Sequence, residues 1–158
     1  MDNYMKLEIS AVSENEAFAR SAVAAFALTL NPTLSELSDV KTAVSEAVTN
    51  CIVHAYKGGD KQSKILIECH TQKTAEKTGE LHIRITDYGC GIEDVERAQT
   101  PFYTTLESEE RSGMGFTIML TFMSGFSVES EVGKGTRVSM SKKIGISDAL
   151  EIRERVNA

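Results

Sequence analysis

A two-layer α/β sandwich is the fold class this sequence predicts: an α+β domain whose mixed, mostly antiparallel sheet carries helices on one face. Three observations lead there. β-rich runs come in neighbouring pairs joined by polar or glycine-bearing connections, Ser63 to Thr71 with Leu81 to Thr86, and Phe126 to Glu131 with Thr136 to Ser141. Two helical segments, each with its own start signal, follow one another with no strand between them. The resulting order, β-α-α-β-β-loop-α-β-β, lacks the strict alternation that a doubly wound sheet needs.

Each element has a local reason. Over Met5 to Val12, Leu7, Ile9 and Ala11 recur at period two and put a strand there. Ser13-Glu-Asn-Glu16 has the form of a capping box, with the Ser13 hydroxyl accepting from the Glu16 amide and Glu16 bonding back. A helix over Glu14 to Leu30 follows and ends at Asn31-Pro32, since the residue before a proline is pushed out of the helical region. A second box, Thr33-Leu-Ser-Glu36, opens a longer helix that reaches about Tyr56 and stops at Gly58-Gly59. Gln72 to Glu80 reads as the polar loop of the first hairpin. Glu93 to Ser112 is polar, contains Pro101 and shows no period, and so long a loop in a compact domain is usually functional. Gly115 to Met123 is an apolar helix preceded by glycines, and the last hairpin turns across Gly133-Lys-Gly135. Ser147 to Val156 has a short amphipathic pattern. Residues 1–145 are expected to form a single domain, with 146–158 as a C-terminal extension.

Composition excludes several functions. A net charge of −6 leaves no basic excess to neutralise phosphates, which argues against direct nucleic-acid binding. No apolar run reaches the roughly 18 residues that span a membrane, and the first residues lack the pattern of a secretory signal. Cys51, Cys69 and Cys90 are odd in number and without CxxC spacing, so neither a disulfide framework nor a zinc site is expected, and the compartment is expected to be the cytoplasm. His54, His70 and His82 show no metal-ligand spacing. No GxxxxGK[ST] motif marks a P-loop, and nothing supports Ser/His/Asp catalysis.

Four segments carry the chemistry. On the second helix Val40, Ala43, Val44, Ala47, Val48, Cys51, Ile52 and Ala55 form an apolar arc, and Glu46 and Asn50 stand one turn apart on its edge. A solvated helix edge explains that pair equally well. As a site, Asn50 offers a neutral oxygen to Mg²⁺ beside phosphates, and Glu46 a base for an attacking hydroxyl. Asp87 ends a strand before Tyr-Gly-Cys-Gly91, where a carboxylate can accept from an amino group such as that of adenine, or simply close an Asx-turn. Arg111-Ser-Gly-Met-Gly115 precedes a helix, and bare amides there bind anions, although a flexible helix start has the same look. Gly133-Lys-Gly-Thr136 is most economically a turn, with Thr136 able to face a ligand.

In that order the four segments resemble the motifs of the Bergerat-fold ATPase superfamily, which includes histidine kinases and gyrase. Within it, residues 5 to 143 are most similar to the bacterial anti-sigma factors that are also serine protein kinases, of the sporulation sigma-F type, with SENEAFAR, SEAVTN and RSGMGFTIM as the specific stretches. The sigma-B type is the near relative, and a detached histidine-kinase catalytic domain the alternative class. The resemblance implies that the cofactors are ATP and Mg²⁺. Asn50 holds the metal and Glu46 is the general base. Asp87 reads the adenine amine with Gly89, Gly91 and Thr136, and Glu93 to Ser112 form a lid bearing Thr104 and Thr105. Arg111, Ser112, Gly113, Met114 and Gly115 surround the phosphates. It further implies a homodimer joined partly through the first strand, a sigma factor as partner, an anti-anti-sigma protein as the serine-bearing substrate, and Arg20 as a partner contact. Leu106 stands where relatives often place a basic residue, which Arg111 could replace.

Overall fold

The computed structural model of the chain describes residues 2–75, 78–100 and 114–145. Strand β1 (Asn3–Ala11) leads into α1 (Glu14–Ala27), a 3₁₀ turn (Leu28–Leu30) and α2 (Leu34–Asn50). One π-helical turn (Cys51–Ala55) extends α2, and β2 (Asp60–Ala75) and β3 (Thr78–Asp87) follow. After β3 come the short α3 (Val95–Ala98), α4 (Gly115–Phe122), β4 (Gly125–Glu131) and β5 (Gly135–Ile144). The strands form one sheet in the order β1-β2-β3-β5-β4. Its pairing, expected to be mostly antiparallel, is antiparallel at all four interfaces.

Helices α1, α2 and α4 cover one face. Ile65, Ile67, Cys69, Leu81, Ile83 and Ile85 project from β2 and β3 into a core shared with Val23, Val40, Val44, Val48 and Met119. The predicted arc of α2 is buried through Ile52, while Ala55 is only half-buried. The other face alternates with polar residues, which is why β2 and β3 run through most of Gln72 to Glu80. A polar stretch read as a loop is here a strand with one solvated face.

The two capping signals fared differently. At Thr33 both bonds form: the Glu36 amide donates to Thr33 Oγ1 at 3.1 Å and the Thr33 amide to Glu36 Oε2 at 2.9 Å. Glu36, buried, also accepts from the Gly145 amide at 3.0 Å, so one carboxylate caps α2 and fastens the end of β5. At Ser13 there is no side-chain cap, and the residue already has helical angles. Glu16 is instead engaged by Arg20 at 3.0 Å and by the Ser45 hydroxyl, so a contact to α2 replaces the local one.

Asn31 takes a left-handed φ of 52° and ends the 3₁₀ turn where Asn31-Pro32 was expected to stop the helix. Helix α4 is held at its far end by Lys142, whose ammonium donates to the Phe122 carbonyl at 2.6 Å and pairs with Asp39 of α2 at 2.9 Å. That clamp ties the end of α4 to α2. The amphipathic pattern over 147–156 lies outside the described residues.

Candidate functional site

Glu46 and Asn50 stand one turn apart near the end of α2, half-buried, and the N-terminus of α4 abuts them. A Cβ built on Gly115 would stand 3.0 Å from Asn50 Nδ2, 3.2 Å from Asn50 Oδ1 and 3.4 Å from Glu46 Oε2. The predicted carboxylate–amide pair and the predicted glycine therefore meet, although some 65 residues separate them in sequence. Met114 sits just ahead of α4 and its carbonyl accepts from the Ile118 amide at 2.8 Å. An unsubstituted helix start facing an amide and a carboxylate can receive phosphate oxygens and hold a hydroxyl nearby.

The second half of the site gathers on Asp87, at the end of β3 and only 5% exposed. Its Oδ1 accepts from the Gly89 amide at 3.0 Å and from the Thr136 amide at 3.2 Å. Burial pushes the Asp87 carboxyl above the ordinary aspartate range, while the two amides and the nearby Cys51 thiol, at the head of the π turn, hold it down. A nearly buried acceptor of this kind suits a neutral amino group, whose hydrogen bond is obtained without burying a further charge.

Thr136 is thus brought to Asp87 through its amide. Its hydroxyl pairs with Ser130 Oγ at 2.8 Å, and Ser130 Oγ also accepts from the Ile92 amide at 2.8 Å. The Gly133 amide donates to the Cys90 carbonyl at 2.9 Å. Gly91 lies against Glu131 in the same contact. The last glycine segment is a turn, as its spacing suggests, and it is also laced to the first glycine segment.

Of the other predicted residues, Thr104, Thr105, Arg111, Ser112 and Gly113 lie outside the described residues. Arg20 is placed elsewhere, on α1, 40% exposed at its side chain. It lines a cleft of about 380 Å³ with Leu34, Leu37, Ser38, Lys41, Thr42 and Ser45, and none of Glu46, Asn50, Asp87 or Gly115 contributes to that cleft. Nor is a group of three or more histidine, cysteine or acidic residues poised for a metal among the described residues. Mg²⁺ does not require such a cage, because it keeps several waters and takes one or two protein oxygens beside substrate phosphates.

Sequence reasoning did not find Cys51, Tyr56 or Ser130. Cys51 looked like one more member of an apolar arc. Ser130 could have been found from register, since it pairs with Thr136 across β4 and β5.

Comparison with known proteins identifies the family. Residues 9–142 match the model of the histidine kinase-like ATPase domain. The chain is 55% identical over 146 residues to an anti-sigma F factor of Clostridium botulinum, covering 92% of this chain and 97% of that one. The chain belongs to the histidine kinase-like ATPase family, among the anti-sigma F factors. An anti-sigma F factor of Caldanaerobacter subterraneus is 52% identical over 144 residues, covering 91% of this chain and 96% of that one. A crystal structure of the RsbU and RsbW domains of a Mycobacterium tuberculosis protein superposes with a TM-score of 0.63 at 14% identity. It covers 90% of this chain and 32% of that longer chain, and supports the fold alone. In the histidine kinase-like ATPase family the ligand of such a domain is ATP, which fits an acceptor at Asp87 and a bare helix start at Gly115.

Proposed function

We propose that this anti-sigma F family member is a serine protein kinase that holds a sigma factor and phosphorylates a serine of an anti-anti-sigma protein. The observation that carries the catalytic half is the convergence of Glu46, Asn50 and the glycine start of α4 within contact distance. The partner half is supported by the 55% identity to a protein named anti-sigma F factor. No helix of the described residues is long and apolar enough to cross a membrane, and its three cysteines are free, which accords with a cytoplasmic protein.

In this reading Asp87 accepts from the adenine amine, while the amides at Gly113 and Gly115 receive phosphate oxygens. Asn50 would supply an amide oxygen to Mg²⁺, and the bound ion would neutralise charge on the phosphates. Glu46 takes the proton from the substrate serine as its oxygen bonds to the γ-phosphorus. The bond from that phosphorus to the β–γ bridging oxygen breaks, and ADP leaves with the electron pair. Because phosphoryl transfer asks the protein mainly for positioning and charge, one base and a fixed cradle suffice.

The homodimer is supported by β1, which pairs only with β2 and leaves its outer edge open among the described residues. Arg20, exposed on α1 beside Lys41, is the proposed partner contact.

Labelled ATP, Mg²⁺ and a serine-bearing anti-anti-sigma protein test the proposal. Acid-stable phosphoserine on that protein is expected, and Glu46→Gln should bind ATP as before while transferring at least about a hundredfold more slowly. Acid-labile phosphohistidine would indicate the histidine-kinase class instead, and no transfer a purely ATP-holding module. Transfer at the unaltered rate in Glu46→Gln would remove Glu46 as the base.

A further inference from the structure

The cleft between α1 and α2 stands apart from the nucleotide site, yet α2 joins the two. Its α2 wall runs from Leu34 to Ser45, about 16 Å at the rise of a helix. Leu34, Ser38 and Thr42 line it at intervals of four residues, and Glu46 and Asn50 continue that interval. Residues four apart stack into a ridge that slants along a helix. Thr42, one turn before Glu46, and Ser45, immediately before it, both belong to the cleft, which therefore ends beside the proposed base.

The chain carries 23 acidic residues against 17 basic, but this cleft is lined by two cations, Arg20 and Lys41, and by no carboxylate. Arg20 is held in place: its Nη1 donates to the two Glu16 oxygens at 3.0 and 3.2 Å and lies 3.5 Å from Ser45 Oγ. A guanidinium has five N–H donors in a planar fork. Among the described residues those bonds use one nitrogen, so the fork keeps donors for a carboxylate. Lys41 is exposed, and Leu34, 87% exposed, adds an apolar wall at the far end. A small anion has no use for that wall, whereas a polypeptide segment can use the charge and the apolar surface together.

We infer that this cleft is the docking groove for the protein substrate. It takes an acidic side chain of the segment around the acceptor serine between Arg20 and Lys41, seats an aliphatic neighbour against Leu34, and so leads the serine hydroxyl to Glu46. The inference rests on the kinase reading and adds a feature of the substrate. Lys41 precedes Glu46 by about 7.5 Å along the helix, which an extended chain covers in two to three residues at about 3.3 Å each. The carboxylate therefore lies within about four residues of the serine.

The test measures transfer from Mg-ATP by the full chain to its anti-anti-sigma protein. Lys41→Glu changes an exposed residue, so the fold is kept and the kinetics are read directly. KM for the protein substrate should rise about tenfold, while kcat and the affinity for ATP stay as in the unaltered chain. Each acidic residue within about four positions of the phosphorylated serine is then replaced by lysine in turn. One of these replacements should raise KM with the unaltered chain and bring it back to within about threefold in Lys41→Glu, an exchange of charges that direct pairing explains. An unchanged KM in Lys41→Glu, a fall in kcat alone, or no restoration by any replacement overturns the groove. A loss of sigma-factor affinity in Lys41→Glu with KM unchanged also overturns it, and gives the cleft to that partner. Absence of serine phosphorylation by the unaltered chain would instead overturn the kinase reading beneath it.

Discussion

Gly89→Ala is the substitution whose cost the structure defines most closely. The new Cβ would lie 2.4 Å from the Ala55 carbonyl oxygen, 2.6 Å from the Ala55 Cβ and 2.7 Å from its carbonyl carbon. These neighbours are backbone or a methyl group, so no side chain can rotate away. Ordinary contact begins at 3.4 Å, and reaching it requires the glycine segment to retreat by about 1 Å. The Cys90–Ala55 hydrogen bond, 3.2 Å long, would stretch beyond bonding range. Overpacking costs about 1–3 kcal/mol and the hydrogen bond about 1, for a loss of about 2–4 kcal/mol. For a domain of this size that lowers Tm by roughly 5–15 °C. Gly133→Ala is the control: a Cβ there meets nothing within 4 Å, and only its φ of +80° carries a penalty, about 1 kcal/mol. Thermal melts of both variants, with and without ATP, decide the matter. Gly89→Ala should be the less stable and lose the stabilisation by ATP, because Asp87 moves with the segment, whereas Gly133→Ala should keep it. Equal melting temperatures in the two variants would refute the close packing of the glycine segment on the π turn.

Thr33→Ala removes one of the two bonds of the only complete capping box among the described helices, and should cost about 1 kcal/mol, read as a fall of roughly 2–4 °C in Tm. No change would mean that Glu36, through its bond to Gly145, holds the start of α2 without the box. A pH effect is expected at His70, whose pKa is lowered first by desolvation and then by His82, stacked on it at 4.5 Å. The folded state thus binds fewer protons there than the unfolded chain. The stability His70 contributes is present above the ordinary histidine pKa and is lost as pH falls through it. Melts between pH 7.5 and 5 should fall less steeply in His70→Gln than in the unaltered protein, and parallel curves would contradict the assignment.

Much of the fold was legible because its signals are local. The Thr33 box, the Asn31-Pro32 stop and the Gly58-Gly59 end each act through a few neighbouring residues, and tertiary packing left them in place. The same holds for Glu46 and Asn50, whose placement on the rim of a buried arc follows from helical periodicity alone. Signals that failed were those a distant partner could override. Ser13 lost its box because Arg20 and Ser45 claim Glu16. Gln72 to Glu80 looked like a loop because a strand on an open sheet face tolerates polar residues. Ser130 was hidden for a further reason: only the pairing of β4 with β5 brings its hydroxyl to Thr136. The meeting of Gly115 with Asn50 is likewise a product of topology, made as α4 packs on α2, and no spacing in the sequence announces it.

Whether Asp87, Asn50 and the start of α4 form one ATP site is tested most directly by titrating the chain with ATP and with inosine triphosphate, in which a carbonyl replaces the adenine amine. Facing a buried carboxylate acceptor, that carbonyl would set one acceptor against another, so ATP is predicted to bind at least about a hundredfold more tightly. Equal affinity for the two nucleotides would contradict the placement of the base at Asp87.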